Sequence, residues 1–165
     1  NGTLDLVLPF DSGIYYNDGE GNFNTQANWF RNLEESYFKK ADLNADGFPD
    51  IIHWGRDQTG QAVANLHINN WTNTFSFQSS IFEGGAYPES IEIINLNQDA
   101  LPDLLAACPD QATRYFINEG NGSFTETSLD LFEEGYWNRV LTEDLNEDGL
   151  KDLILSGRDI DLNTV

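Results

Sequence analysis

Asp42-Leu43-Asn44-Ala45-Asp46-Gly47-Phe48-Pro49-Asp50 is the stretch on which the fold turns, because the chain repeats it. The same nine-residue string stands at 95–103 as NLNQDALPD and at 144–152 as DLNEDGLKD. From 42 to 95 is 53 residues, and from 95 to 144 is 49. The first five residues, NGTLD, match the tail of the string one period earlier. A second landmark keeps step: YYNDGEGNF (15–23), LHINNWTNTF (66–75) and YFINEGNGSF (115–124) each end a strand in a turn and close on Phe. Those Phe residues, 23, 75 and 124, are 52 and 49 residues apart. Two landmarks in one register establish an internal repeat.

Working outward from the string, each unit reads as four short strands. A mixed segment precedes it: Tyr37 to Ala41, Ser90 to Ile94, Asn138 to Glu143. An apolar run follows it: Ile51 to Trp54, Leu104 to Ala107, Leu153 to Leu155, and Leu6 to Leu8 in the first unit. Apolar runs this short, bounded by turn residues, predict strands buried on both faces. An alternating strand comes next (Ala64, Leu66, Ile68; Tyr115, Ile117), then the Asn/Gly turn and a Phe-led outer strand, Phe75 to Phe77 or Phe124 to Thr127. The best helical candidate, Trp29 to Phe38, lacks a clean apolar face. Four strands in a unit of about 45–50 residues have the dimensions of a β-propeller blade. The expected fold is therefore all-β, with blades of four antiparallel strands: 1–33 most of one blade, 34–86 a second, 87–135 a third, and 136–165 the start of a fourth. Propellers close with about 4–8 blades, so the expected partners include the remaining blades, from a parent chain or another copy.

Composition narrows the function. The chain carries 28 Asp and Glu against 8 Lys and Arg, a formal net charge of −20. Such a surface repels nucleic acid phosphates and anionic membranes, and no apolar run is long enough for membrane insertion. With 39% hydrophobic and 13% aromatic residues, the chain is not a disordered one. Cys108 is the single cysteine, which excludes an intramolecular disulfide. The absence of Met and the Asn1-Gly2-Thr3 start imply a processed, excised or partial chain.

The strings themselves predict metal sites. Asp42, Asn44 and Asp46 place oxygens at positions 1, 3 and 5 of a tight loop, the Phe48 carbonyl stands at position 7, and Asp50 closes the shell at position 9. Gly47 permits the sharp turn, as in the first half of an EF-hand loop. An all-oxygen donor set selects Ca²⁺. The EF-hand itself is excluded, because position 12 is His53, inside an apolar strand. The loop of Asp144, Asn146, Asp148 and Asp152 is equally well equipped. The middle loop, Asn95, Asn97, Asp99 and Asp103, has one carboxylate fewer and Ala100 in place of Gly, so it is expected to bind more weakly. The competing reading is a plain Asp/Asn/Gly turn; three copies in register favour the metal. Bound calcium would neutralise crowded carboxylates and turn metal binding into folding free energy. An affinity on the order of 10⁻⁴–10⁻³ M, as in extracellular modules, implies a secreted or cell-surface location.

These strings, followed by an apolar strand and an N-x-G-x-G-x-F turn, resemble the FG-GAP/VCBS repeats of integrin α-subunits and of many bacterial secreted proteins. The resemblance covers essentially the whole chain. It implies a seven-bladed ring, of which this chain is a part, with calcium in the hairpin between the first two strands of a blade. The implied ligands are Asp42, Asn44, Asp46, the Phe48 carbonyl and Asp50; Asp144, Asn146, Asp148, the Leu150 carbonyl and Asp152; and, as the weaker set, Asn95, Asn97, Asp99, the Leu101 carbonyl and Asp103. The name-giving signature is not intact, FEGGAYP (82–88) being its nearest approach, which points to the bacterial type and away from an integrin-like ligand site.

Other residues invite a catalytic reading. His53 and His67, the two histidines, flank a turn near Gly60 and could share a metal, but strand packing accounts for both. Cys108 reads as a small buried residue. Gly55-Arg56-Asp57 recurs two periods on as Gly157-Arg158-Asp159, which marks blade-edge turns with a local ion pair. Neither a nucleophile elbow nor a phosphate loop occurs. Trp54 reads as core, whereas Trp71 and Trp137 lie beside Asn70 and Asn138, an arrangement suited to sugar rings or to sealing blade against blade. Asn1, Asn70 and Asn121 head Asn-x-Ser/Thr triplets, a glycosylation signal. The expected function is a non-catalytic, calcium-stabilised extracellular binding module for adhesion or for glycan or protein recognition. The alternatives are the propeller of a secreted carbohydrate-active enzyme such as a polysaccharide lyase, and an architectural spacer in a surface adhesin.

Overall fold

The computed structural model describes residues 4–8, 13–26, 30, 33–71, 74–109, 112–127 and 135–159. Among them every regular element is a strand. Asn1 to Thr3, the first three residues of the string remnant, lie outside the described residues, as does Trp29, whereas Leu4 and Asp5 are within them. The segment from 34 onward, weighed as a helix, is extended. Contacts divide the chain into two compact units, one of 1–40 with 49–83 and one of 41–48 with 84–165.

The first unit holds two antiparallel sheets. Strands β1 (Leu6–Leu8), β2 (Gly13–Asn17) and β3 (Phe23–Gln26) form a three-stranded meander in that order. Strands β4 (Glu34–Ala41), β5 (Asp50–Arg56), β6 (Ala62–Asn69) and β7 (Phe75–Glu83) form a four-stranded one. Six of the seven residues of β5 are buried, as a strand covered on both faces requires. β6 is a correction to the alternating pattern: Ala62 through His67 are all buried, so it too is covered on both faces and its polar Asn65 and His67 lie inside. The β5–β6 turn is set by Asp57, whose Oδ1 accepts from the Thr59 and Gln61 amides, with Gly60 at φ +81°. Ile14, Phe30 and Ile51 form the core between the two sheets, with Val7, Tyr16, Phe38 and Phe75 packed around them. Burying a side chain of this size contributes about 1.5–3 kcal/mol.

In the second unit, β8 (Ser90–Ile94), β9 (Asp103–Ala107), β10 (Arg114–Asn118) and β11 (Phe124–Thr127) make a four-stranded antiparallel sheet in sequence order, and β12 (Gly135–Glu143) pairs with β13 (Asp152–Asp159). β9 is buried throughout. Its Leu105 and Ala107 meet Tyr115 and Val140, with Trp137, Leu153 and Leu155 packed against them. Of its two readings, sugar contact and sealing, Trp137 therefore takes the packing between sheets. Arg114 clamps Glu126 through two nitrogens at 2.7 and 2.9 Å and lies 5.0 Å from the Phe116 ring centroid.

The recurring Gly-Arg-Asp triplets serve the blade edge. A Cβ on Gly55 would stand 2.8 Å from the Glu34 carbonyl oxygen and 3.0 Å from the Leu33 Cβ, so only glycine lets the two strands approach this closely. Gly157 faces the Tyr136 carbonyl in the same way. Arg56 pairs with Glu35 on the neighbouring strand at 3.3 Å, while Asp57 is engaged by its own turn.

The acidic loops as a candidate metal site

Each string connects the first two strands of a sheet, and its side chains fold back onto the loop's own amides. In the 144–152 loop, Asp144 accepts from the Asp148 amide at 3.1 Å and from the Gly149 amide at 2.8 Å. Asn146 Oδ1 accepts from Asp148 N at 3.0 Å, and Asp148 Oδ1 from Leu150 N at 2.8 Å. The 42–48 loop repeats this pattern: Asp42 accepts from Asp46 N and Gly47 N, Asn44 from Asp46 N, and Asp46 from Phe48 N. Position 4 is left-handed in both, Ala45 at φ +59° and Glu147 at +61°, and position 6 is a left-handed glycine, Gly47 at +88° and Gly149 at +86°. These nested turns gather the first, third and fifth side chains on one side of the backbone.

The middle loop departs from the pattern at its first residue. Asn97 and Asp99 keep their bonds to Asp99 N and Leu101 N, and Gln98 is left-handed at +63°. Asn95, however, turns its amide nitrogen inward and donates to the Asp99 carbonyl oxygen. Ala100 is not among the residues of positive φ. A side-chain N–H therefore points where the other two loops present carboxylate oxygen.

The ninth residue has a second task that the spacing alone did not reveal. Asp103 is fully buried; one oxygen accepts from Leu96 N at 2.7 Å and the other from Asn118 N at 2.8 Å. It ties the loop to the turn at the end of β10. Asp50 accepts from Asn69 N at 2.9 Å, Asp5 from Asn17 N at 2.9 Å, and Asp152 from Leu145 N at 2.9 Å. Asn118 also donates from its side chain to the carbonyls of Leu43 and Pro102, at 2.8 and 3.1 Å. Asn17, Asn69 and Asn118 were legible as partners: they recur 52 and 49 residues apart, in the register of the strings.

The residues present suit a hard divalent ion. The donors are carboxylate, amide and carbonyl oxygens, and a carboxylate oxygen engaged by one N–H keeps a lone pair. Asp42, Asp46, Asp144 and Asp148 make no ion pair with Lys or Arg among the described residues. Also among the described residues, no group of three or more His, Cys, Asp or Glu is already drawn together as a metal centre. Asp42, Asn44, Asp46 and the Phe48 carbonyl, with Asp50 following, and the matching set from Asp144 to Asp152 are the residues that would hold calcium. The ion would supply neutralisation of the loop's carboxylates.

Four of the other candidates, His53, His67, Cys108 and Trp54, are buried. His53 and His67 are buried, and burial pushes their pKa values down to about 3 and about 4, with the charge of His67 adding to the shift at His53. Cys108 is buried and its thiol is pushed up to about 11 by desolvation, so it is no nucleophile. Trp54 is core and stacks on Tyr37 at 5.5 Å. Trp71 is 68% exposed.

Four-stranded antiparallel sheets whose first hairpin carries an acidic nine-residue loop define blades of the β-propeller class. The family model of the FG-GAP-like repeat matches residues 42–106 and again 95–155. The chain belongs to that family. No curated protein and no solved structure matches it. Among the described residues no helix is long and apolar enough to cross a membrane.

Proposed function

We propose that the chain is a calcium-stabilised recognition module of a secreted or cell-surface protein, which holds a glycan or protein ligand without transforming it. The observation that carries this reading is the shared geometry of the 42–48 and 144–152 loops, where three hard-oxygen side chains gather on one side of a loop with no basic partner among the described residues. Calcium bound there would lock the first hairpin of a blade, and the loops at the blade ends would be left free to recognise a ligand. Burial of both imidazoles in the sheet interior supports a module without catalysis. Trp71, exposed beside Asn70, offers an aromatic face and an amide of the kind that grips a sugar ring. Leu141 and Ile154, paired across β12 and β13 and 56% and 39% exposed, support completion of the ring by further blades from the parent chain or another copy.

The test is a screen of immobilised glycans and of acidic polysaccharides in millimolar calcium, read for both binding and depolymerisation. Saturable binding without product, weakened by Trp71→Ala, is the expected result. Chain cleavage would replace this reading with the polysaccharide lyase, and inertness in both assays would leave an architectural spacer.

A further inference from the structure

His53 and His67 are 0% and 1% exposed, with ring centroids 6.1 Å apart. The β5–β6 register sets Ile51 opposite His67 and His53 opposite Asn65, so the two rings are diagonal neighbours on one face of the sheet. That face is the one packed towards β1–β3 through Ile51 and Phe30. Aromatic rings wall the pair in. Phe38 stacks on His53 at 4.4 Å, Phe30 meets both rings edge-on at 5.5 and 4.9 Å, and Phe77 meets His67 at 5.9 Å. Among the described residues none of the four ring nitrogens has a hydrogen-bond partner. A neutral imidazole always keeps one N–H donor and one acceptor nitrogen, and leaving both unmet in a dry interior is costly. Phenylalanine at either position would pack without that cost.

We propose that this pair is an acid-sensing latch: the seam between the β1–β3 and β4–β7 sheets holds while both rings are neutral, and it opens when they take up protons. Among the described residues, the rings packed against the pair give a proton no counter-charge. On β2 the titratable neighbour of the cluster is Tyr16, whose pKa is raised by burial and by Asp5. On β4 the charged residues are Glu34, Glu35 and Lys40, all exposed, and Lys39, half-buried next to Phe38. On β5 the ends carry Asp50, bonded to Asn69 N, and Arg56, paired with Glu35. β6 presents the amide of Asn65, and β7 presents Ser80, bonded to both Asn65 and Glu83. None of the rings packed on the imidazoles carries a charge. A second proton would also be repelled by the first across 6.1 Å.

The direction follows from linkage. Burial holds His53 and His67 down to about 3 and about 4, while an unfolded histidine titrates near 6.5. The latch is therefore fully closed above about pH 6.5. Below that the open form binds more protons, and the opening equilibrium rises about tenfold per pH unit for each ring, about a hundredfold for the pair. This continues to about pH 4, where His67 protonates in place, and His53 alone contributes down to about 3.

These are the only two histidines in the chain, so proton NMR of the imidazole ring reads each directly. In the folded protein both rings are expected to stay neutral to below pH 5. Urea unfolding between pH 6.5 and 4.5 is expected to lose the two-ring slope in His53→Phe/His67→Phe and half of it in His67→Phe. A folded-state titration near 6.5, or a slope unchanged in the variants, would overturn the latch. So would stoichiometric displacement of both ring signals by added zinc ion, which would assign the pair to a metal. The NMR titration needs no variant, so it decides the matter even if the double substitution does not fold.

Discussion

The loops at 144–152 and 95–103 occupy equivalent hairpins of the same compact unit, yet they close in different ways. In the first, Asp144 receives two loop amides and Gly149 takes the left-handed turn that brings them there. In the second, Asn95 supplies a donor to the loop's own carbonyl, and Ala100 stays out of the left-handed region. At its first position one loop presents a carboxylate that accepts loop amides, while the other presents an amide that donates to the loop's own carbonyl. The ninth residue shows the opposite trend. Asp103 is buried with both oxygens engaged, whereas Asp152, only partly buried, holds Leu145 N. Each loop is held by a different agent: protein donors in the middle copy, and in our reading an ion in the last.

Removing the ninth residue, Asp103 or Asp152, should separate the two loops most sharply. Asp103→Ala strands two amides without their charged acceptor and is expected to cost about 3–5 kcal/mol, equally in calcium and in chelator, by urea unfolding. Asp152→Ala should cost about 1 kcal/mol in chelator and more in calcium. Equal losses would break the comparison. Next in size is the ion itself: at a hundred times its dissociation constant each site contributes about 2.7 kcal/mol. Titration calorimetry should find two ions per chain, and Asp148→Ala should leave one.

Rebuilding the middle loop sharpens the contrast from the other side. Asn95→Asp with Ala100→Gly restores both missing features, and calorimetry should then count three ions. The net gain in stability should be smaller than for a natural site, because Ala→Gly costs up to about 1 kcal/mol. Smallest of all is the turn residue. Gly149 has open space around its Cβ position but φ +86°, so Gly149→Ala should cost about 1–2 kcal/mol through backbone strain alone. Ala100→Gly, free of that strain, should cost no more than about 1 kcal/mol.

The blades were readable because the string, the apolar run and the Asn/Gly turn repeat in one register. The apolar runs 51–54 and 104–107 are the doubly covered strands β5 and β9, whereas the runs 6–8 and 153–155 are not covered on both faces, Leu6, Leu8 and Ile154 being exposed. β6 was misjudged because Ala64, Leu66 and Ile68 read as the apolar half of an alternating strand, when Ala62 through His67 are all buried and Phe30 packs edge-on against His67. Phe30 comes from outside the repeat's landmarks, so local periodicity could not place it. The oxygen donors of the loops were legible as a pattern. The inward turn of Asn95 was not, because Asp-to-Asn reads as the loss of a charge and here also supplies a donor. The Asp103–Asn118 tie joins two stretches that only the folded sheet brings together, although the recurrence of Asn17, Asn69 and Asn118 marked it.

The measurement that bears most directly on the account is the melting temperature in excess calcium and in chelator, for the natural chain and for Asp46→Ala/Asp148→Ala. The account predicts a marked rise with calcium in the natural chain and almost none in the double variant. Identical melting curves in calcium and chelator for the natural chain would contradict it and reduce the acidic loops to plain turns.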